Sequence, residues 1–72
     1  MSKLYSSNDI IFVLEIIGFS FNSQKGSHGK FKNQNGHIAI VPMNKKEIPE
    51  GTLSGILRQA GLSKSEFKEK LG

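Results

Sequence analysis

Cysteine is absent from this 72-residue chain, which excludes disulfides, thiolate zinc sites and cysteine nucleophiles together. Acidic residues are scarce: six Asp+Glu face ten Lys+Arg, for a net charge of +4. With so few carboxylates and only two histidines, neither a metal site nor a cofactor is expected. Long hydrophobic runs are missing too. The longest, Ile10 to Leu14, is five residues, against the roughly 20 that span a bilayer, so no membrane partner is expected. Lys3 before an apolar stretch and Gly18-Phe19-Ser20 after it loosely resemble a secretion signal, but Asp9 and Glu15 interrupt the stretch and argue for a cytoplasmic protein. A chain this short makes one domain, residues 1–72. Such a domain buries only about 60% of its unfolded surface, too thin a core for a deep two-substrate pocket or for flavin or haem. What is plentiful is lysine, and its excess points to an anionic partner, nucleic acid foremost.

The order of elements follows from periodicity. Ser6-Ser7-Asn8-Asp9 offers side-chain oxygens to a helix start, and Ile10, Val13, Leu14 and Ile17 then form one apolar stripe before Gly18 ends the helix. Phe12 and Ile16 fall on its flank, as the edge of a wide core face or as a small exposed patch. From Phe19 the period becomes two, with Phe19 and Phe21 on one side of a strand. Lys25-Gly26-Ser27 reads as a turn or bulge, followed by strands at about His28–Asn33 and Ile38–Pro42. Asn35-Gly36 between them predicts a two-residue hairpin turn, which sets Phe31 opposite Ile40 and His28 opposite Met43. The core face then carries Phe31 and Ile40, and the open face His28, Lys30 and Lys32 with Ala39 and Val41. A second helix, about Glu50–Ala60, buries Leu53, Ile56, Leu57 and Ala60 and stops at Gly61. Ser63 and Glu66 form a capping box, with Leu62 and Phe67 as a staple, for a short third helix to Leu71. The predicted class is α+β, an α-β-β-β-α order with a three-stranded antiparallel sheet, helices on one face and a basic face left open.

Gly26-Ser27-His28 is the segment that asks for a chemical explanation. Glycine lets a backbone approach phosphate, serine donates a hydroxyl, and histidine is the side chain that ordinarily exchanges protons near neutral pH. RNA brings its own nucleophile in the 2′-OH, so its cleavage requires only proton transfer and positive charge at the phosphate. Against this stands a plain reading in which Gly26 is a bulge and His28 a surface residue without a role. Lys25, Lys30 and Lys32 around the sheet, with Lys45 and Lys46 in the following loop, form the candidate backbone-binding set, and Arg58 and Gln59 on the second helix are further phosphate candidates or plain exposed positions. Lys64, Lys68 and Lys70 read as a solvated face paired with Glu66 and Glu69, and His37 as a hairpin surface residue.

Gly26-Ser27-His28, Val41-Pro42 at a strand end, Glu47-Ile48-Pro49-Glu50-Gly51-Thr52-Leu53 and Ile56-Leu57-Arg58-Gln59-Ala60-Gly61-Leu62-Ser63 together resemble the HicA family of toxin endoribonucleases. Order, spacing and length match over nearly the whole chain. The resemblance implies a double-stranded-RNA-binding-domain-like fold, cleavage of mRNA and tmRNA that arrests translation, and neutralisation by a HicB-like antitoxin. It places the catalytic histidine at His28, with Gly26 and Ser27 beside it. Many members carry a histidine two residues after the strand-end proline, where this chain has Asn44, a side chain that can hydrogen-bond phosphate but cannot exchange a proton near neutral pH.

The leading expectation is therefore a metal-independent endoribonuclease in which His28 is general acid or base, and Gly26, Ser27, Lys25, Lys30, Lys32, Asn44, Lys45, Lys46 and Arg58 bind RNA. The alternatives are a non-catalytic RNA-binding module and a catalytically weakened toxin homologue. As an interaction protein, the chain is expected to offer Phe12, Ile16, His28 and Lys30 to an acidic antitoxin that covers His28. DNA regulation is disfavoured, because no helix carries a basic, base-reading face.

Overall fold

The structure is a computed structural model and describes residues 4–72. Its elements run α1 (Ser7–Ile16), β1 (Ser20–Lys25), β2 (His28–Lys32), β3 (Ile38–Pro42), α2 (Glu50–Ala60) and α3 (Lys64–Leu71). The three strands form an antiparallel sheet in the order β1-β2-β3. This is the α+β arrangement expected from the sequence.

The helix ends follow their side chains. Ser6 caps α1 in a reciprocal box with Asp9, and Ser63 caps α3 in the same way with Glu66. Hydrogen bonding from the Ser63 backbone N–H, and after it from the Ser63 hydroxyl, holds the Glu66 carboxyl below the ordinary glutamate range, with Lys70 adding a smaller pull in the same direction. The contribution of Glu66 to α3 is thus present above the ordinary glutamate value and is lost as pH falls through its lowered one. Gly61 stops α2 in the left-handed conformation (φ 72°). Lys64 pairs with Glu50 on α2 rather than with the acids of its own helix, and this is the one ion pair among the described residues.

The core lies between the helices and one face of the sheet. Ile10, Val13 and Leu14 of α1, Leu53, Ile56 and Leu57 of α2, and Phe67 of α3 meet Phe31, Ala39 and Val41 of β2 and β3. Leu62 packs against that cluster beside Phe67, and Tyr5 meets Phe67 edge to face at 5.0 Å. The helices cover β3, and all six residues of β1 are exposed.

The hairpin between β2 and β3 differs from the sequence expectation by one residue. Asn33 pairs with His37 through its backbone, Gly36 N–H donates to Asn33 O, and Gly36 takes φ 84°. Asn33 Oδ1 also accepts from the N–H groups of Asn35 and His37, at 3.1 and 2.8 Å. The loop is thus the three residues Gln34-Asn35-Gly36, a turn closed by a left-handed glycine. Phe31 therefore pairs with Ala39, Lys30 with Ile40 and His28 with Pro42. A one-residue slip turns every side chain of β3 over, so Ala39 and Val41 are buried and Ile38 and Ile40 lie on the open face. Packing explains the choice: Ala39 is small enough for α2 to approach β3 closely, and the bulky Phe31 fills the space beside it.

On the other side of the sheet, Gly26 and Ser27 form a two-residue turn between the paired Lys25 and His28. Positive φ at Gly26 (59°) and not at Ser27 fits a type II′ turn. The bulge lies elsewhere, at Asn22, where the register passes from Phe21–Phe31 to Ser23–Lys30. Phe19 is buried as expected, whereas Phe21 lies half exposed at the uncovered edge, its ring edge-on to Phe31 at 5.7 Å.

Candidate functional site

The open face is a grid of three rows across the strands: Lys25–His28–Pro42, Ser23–Lys30–Ile40 and Ser20–Lys32–Ile38. Neighbouring rows are about 7 Å apart and neighbouring strands about 5 Å. His28 thus sits at one end of the sheet beside Lys25, with Lys30 in the next row. The bulge decides which β1 residues join them. Unbroken alternation from Phe21 would set Gln24 opposite His28 and Asn22 opposite Lys30. With Asn22 bulged out, Lys25 and Ser23 take those places.

The loop after β3 is tied to the same end of the sheet. Met43 N–H donates to Ser27 O at 2.7 Å, which joins the loop to the Gly26–Ser27 turn. Ser7, buried at the start of α1, holds it from below. Its Oγ donates to Pro42 O (2.5 Å) and accepts from Lys45 N–H (2.9 Å), while its own N–H donates to Lys45 O (2.9 Å). Between these anchors Asn44 takes φ 60°, a left-handed conformation that asparagine tolerates better than most residues. Met43 lies over Gly29, where a Cβ would come within 2.6 Å of its sulfur and 3.2 Å of the Phe31 ring, so a larger residue after His28 has to displace the flexible Met43 side chain. We expect Ser7→Ala to leave Pro42 O and Lys45 N–H short of a partner and to cost about 1–3 kcal/mol. Urea unfolding measures that loss, and faster amide exchange at Lys45 reports the loosened loop.

Gly26, Ser27, His28, Lys25, Lys30, Asn44 and Lys45 are therefore brought to one end of the sheet. Lys32 is at the other end and lines a separate hollow of about 310 Å³ with Gly18, Ser20, Asn22, Asn33 and Gln34. Lys46 is exposed in the loop, and Arg58 is exposed on α2. The neighbouring Gln59 is committed to structure: its Oε1 accepts from the free edge N–H of Ile40 at 3.0 Å. Phe12 and Ile16, 51% and 50% exposed, belong to the helical layer, on the other side of the sheet from His28 and Lys30. A partner touching all four has to wrap around an edge of the molecule.

A recess of about 550 Å³, lined by Ser23, Lys25, His28, Lys30 and Ile40, opens on this face. No hydrogen bond or ion pair engages His28, Lys25, Lys30 or Lys45 side chains among the described residues. Asp9 and Glu66 serve helix caps, Glu50 pairs with Lys64, and among the described residues Glu15, Glu69 and Glu47, the last in the same loop as Lys45, form no ion pair with these lysines. The cations of the sheet face are therefore not neutralised by those groups and are open to an external anion. No helix among the described residues is long and apolar enough to cross a membrane.

Residues 7–62 match the family described as the HicA toxin of bacterial toxin-antitoxin systems. The chain belongs to the HicA toxin family. The match spans α1, the whole sheet, the Ser7-clamped loop and α2, and so includes every element that positions the recess. No individual curated protein matches the sequence. Membership makes the chain the toxin side of a toxin–antitoxin pair, and an antitoxin partner follows from it.

Sequence reasoning missed Ser7, Ser23, Gly29 and Ile40 as parts of this site, and Gln59, a phosphate candidate in the sequence, instead braces the edge of β3. The two-residue hairpin expected from Asn35-Gly36 puts Ile40 in the core. Ser23 depends on the bulge, and Ser7 reads only as one of four adjacent cap candidates.

Proposed function

We propose that this HicA-family chain is a metal-independent endoribonuclease that arrests translation by cutting mRNA and tmRNA, with His28 as general acid or base. The observation that carries the proposal is the recess at one end of the sheet in which Lys25 and Lys30, in no ion pair among the described residues, flank an exposed histidine, with the Lys45 loop tied to the adjoining turn. In the reaction, the RNA 2′-oxygen attacks phosphorus, the bond to the 5′-oxygen breaks, and the proton lost from the former is balanced by one gained by the latter. His28 serves one of these transfers and solvent on the open face exchanges the other. Lysines stabilise the charge that builds on the phosphate, Gly26 admits the backbone closely, and the Ser27 hydroxyl and Asn44 carboxamide hydrogen-bond phosphate oxygens. Lys32, Lys46 and Arg58 extend the track for the rest of the strand, and their effect on binding falls with salt. The helix–sheet order supports the double-stranded-RNA-binding-domain-like architecture that the resemblance implies.

For the antitoxin we propose a HicB-like protein with an acidic surface that covers His28 and Lys30, since complementary charge speeds capture of a basic toxin. The Phe12–Ile16 patch offers it a second contact from the helical layer.

The direct test is incubation of the purified chain with a defined RNA in EDTA, the products being resolved on a gel. Cutting in EDTA supports the reading, and intact RNA contradicts it. One observation favours a second reading: no side chain among the described residues hydrogen-bonds the His28 imidazole. Together with Asn44, that suits a weakened toxin or a non-catalytic RNA-binding module. Salt-sensitive RNA binding without cut product identifies it.

A further inference from the structure

The recess beside His28 is more than a charged patch. Its centre is the Ser23–Lys30–Ile40 row, where an aliphatic side chain sits among cations on a face that could have been wholly polar. Ile40 is half-buried, and its backbone is fixed from the far edge by Gln59. Lys30 and Ile40 face each other without exchanging backbone hydrogen bonds, since the Ile40 N–H points to Gln59, and side chains approach most closely in such pairs. The Lys25 and Lys30 stems add apolar walls, with their charged ends free for phosphate. At about 550 Å³ the recess falls within the range of sites that take a small ligand.

We propose that this recess seats the nucleobase next to the phosphate attacked at His28, with Ile40 as the apolar floor beneath the ring and the Ser23 hydroxyl as a hydrogen-bond partner for its edge. The inference rests on the RNA-cleaving reading of the same face and adds to it the residues that choose the cleavage position. A base in this recess has left its own stack, so the substrate at the cut is an unpaired strand. The bulge at Asn22 acquires a purpose in this arrangement, because it turns Ser23 and Lys25 toward the RNA instead of toward the helical layer.

The test uses a single-stranded oligonucleotide and its variants with one abasic ribose on either side of the cut. Wild type is expected to lose about tenfold in cleavage efficiency at one of those positions, the scale of a lost base contact. Ile40→Ala is expected to be slowed by a similar factor on the intact strand and to be insensitive to the same abasic change. Ser23→Ala, at an exposed edge position, is expected to alter base preference at that nucleotide even if Ile40→Ala fails to fold. A paired duplex of the same sequence is expected to be cut far less. Equal abasic sensitivity in wild type and folded Ile40→Ala, with base preference unchanged in Ser23→Ala, would overturn the base recess while leaving the nuclease standing. Failure of wild type to bind or cut any RNA would overturn both.

Discussion

His28→Ala is expected to reduce RNA cleavage by about 10²–10⁴-fold, the usual contribution of a positioned general acid or base. The same change is expected to leave folding nearly intact, because His28 is exposed and its side chain has no hydrogen bond or ion pair among the described residues. Surface substitutions of this kind usually shift stability by no more than about 0.5 kcal/mol. His28→Gln separates hydrogen bonding from proton transfer. It retains the former and should be about as inactive as the alanine variant. Lys25→Ala and Lys30→Ala should behave differently, weakening binding across sequences and each lowering the slope of log affinity against log salt by about 1. Single-turnover cleavage, circular dichroism and a salt series measure all three. If folded His28→Ala cuts like wild type, the chemistry belongs to another residue.

The second large effect concerns β3. Ala39→Asp is expected to unfold the protein, whereas Ile40→Asp is expected to fold. Ala39 is fully buried between α2 and Phe31, and a carboxylate there has no cation within the core. Burying an unpaired charge costs several kcal/mol, comparable with the roughly 4–11 kcal/mol that a chain of this length has in total. Ile40 faces the open recess, so its aspartate is solvated, but it sets a negative charge beside Lys30 and His28 and should suppress RNA binding. Urea unfolding followed by circular dichroism ranks the two variants. The reverse ranking would restore the register in which Phe31 faces Ile40.

That register marks the boundary of what the sequence made legible. The helices were readable because each relies on local chemistry: Ser6 with Asp9, Ser63 with Glu66, Gly18 and Gly61 at the ends, and stripes three and four residues apart. The Gly26-Ser27-His28 turn and the loop lysines were found for the same reason, as contiguous residues with recognisable side chains. β3 was not readable in this way. Ile38-Ala39-Ile40-Val41 is apolar at every position, so period two gives no preference between its faces, and Asn35-Gly36 suits both a two-residue and a three-residue loop. What decides is Asn33, whose side chain organises the longer loop, and the close approach of α2, which requires a small residue on the covered face. The bulge at Asn22 depends likewise on pairing across strands. Without it, Ser23 and Lys25 belong to the wrong face, and the recess cannot be foreseen. Ser7 escaped notice because its partners, Pro42 and Lys45, lie 35 and 38 residues away in the chain.

The central claim is that the open sheet face around His28 engages RNA. The most direct measurement is a nuclear magnetic resonance titration of the isotope-labelled chain with a single-stranded RNA whose riboses are 2′-O-methylated, which removes the nucleophile and keeps the complex uncut. Shifts concentrated at Ser23, Lys25, His28, Lys30, Ile40 and the Asn44–Lys45 loop, reversed by added salt, are the predicted result. Shifts confined to the α3 lysines or to the Phe12–Ile16 flank of α1, with the sheet face silent, would contradict it.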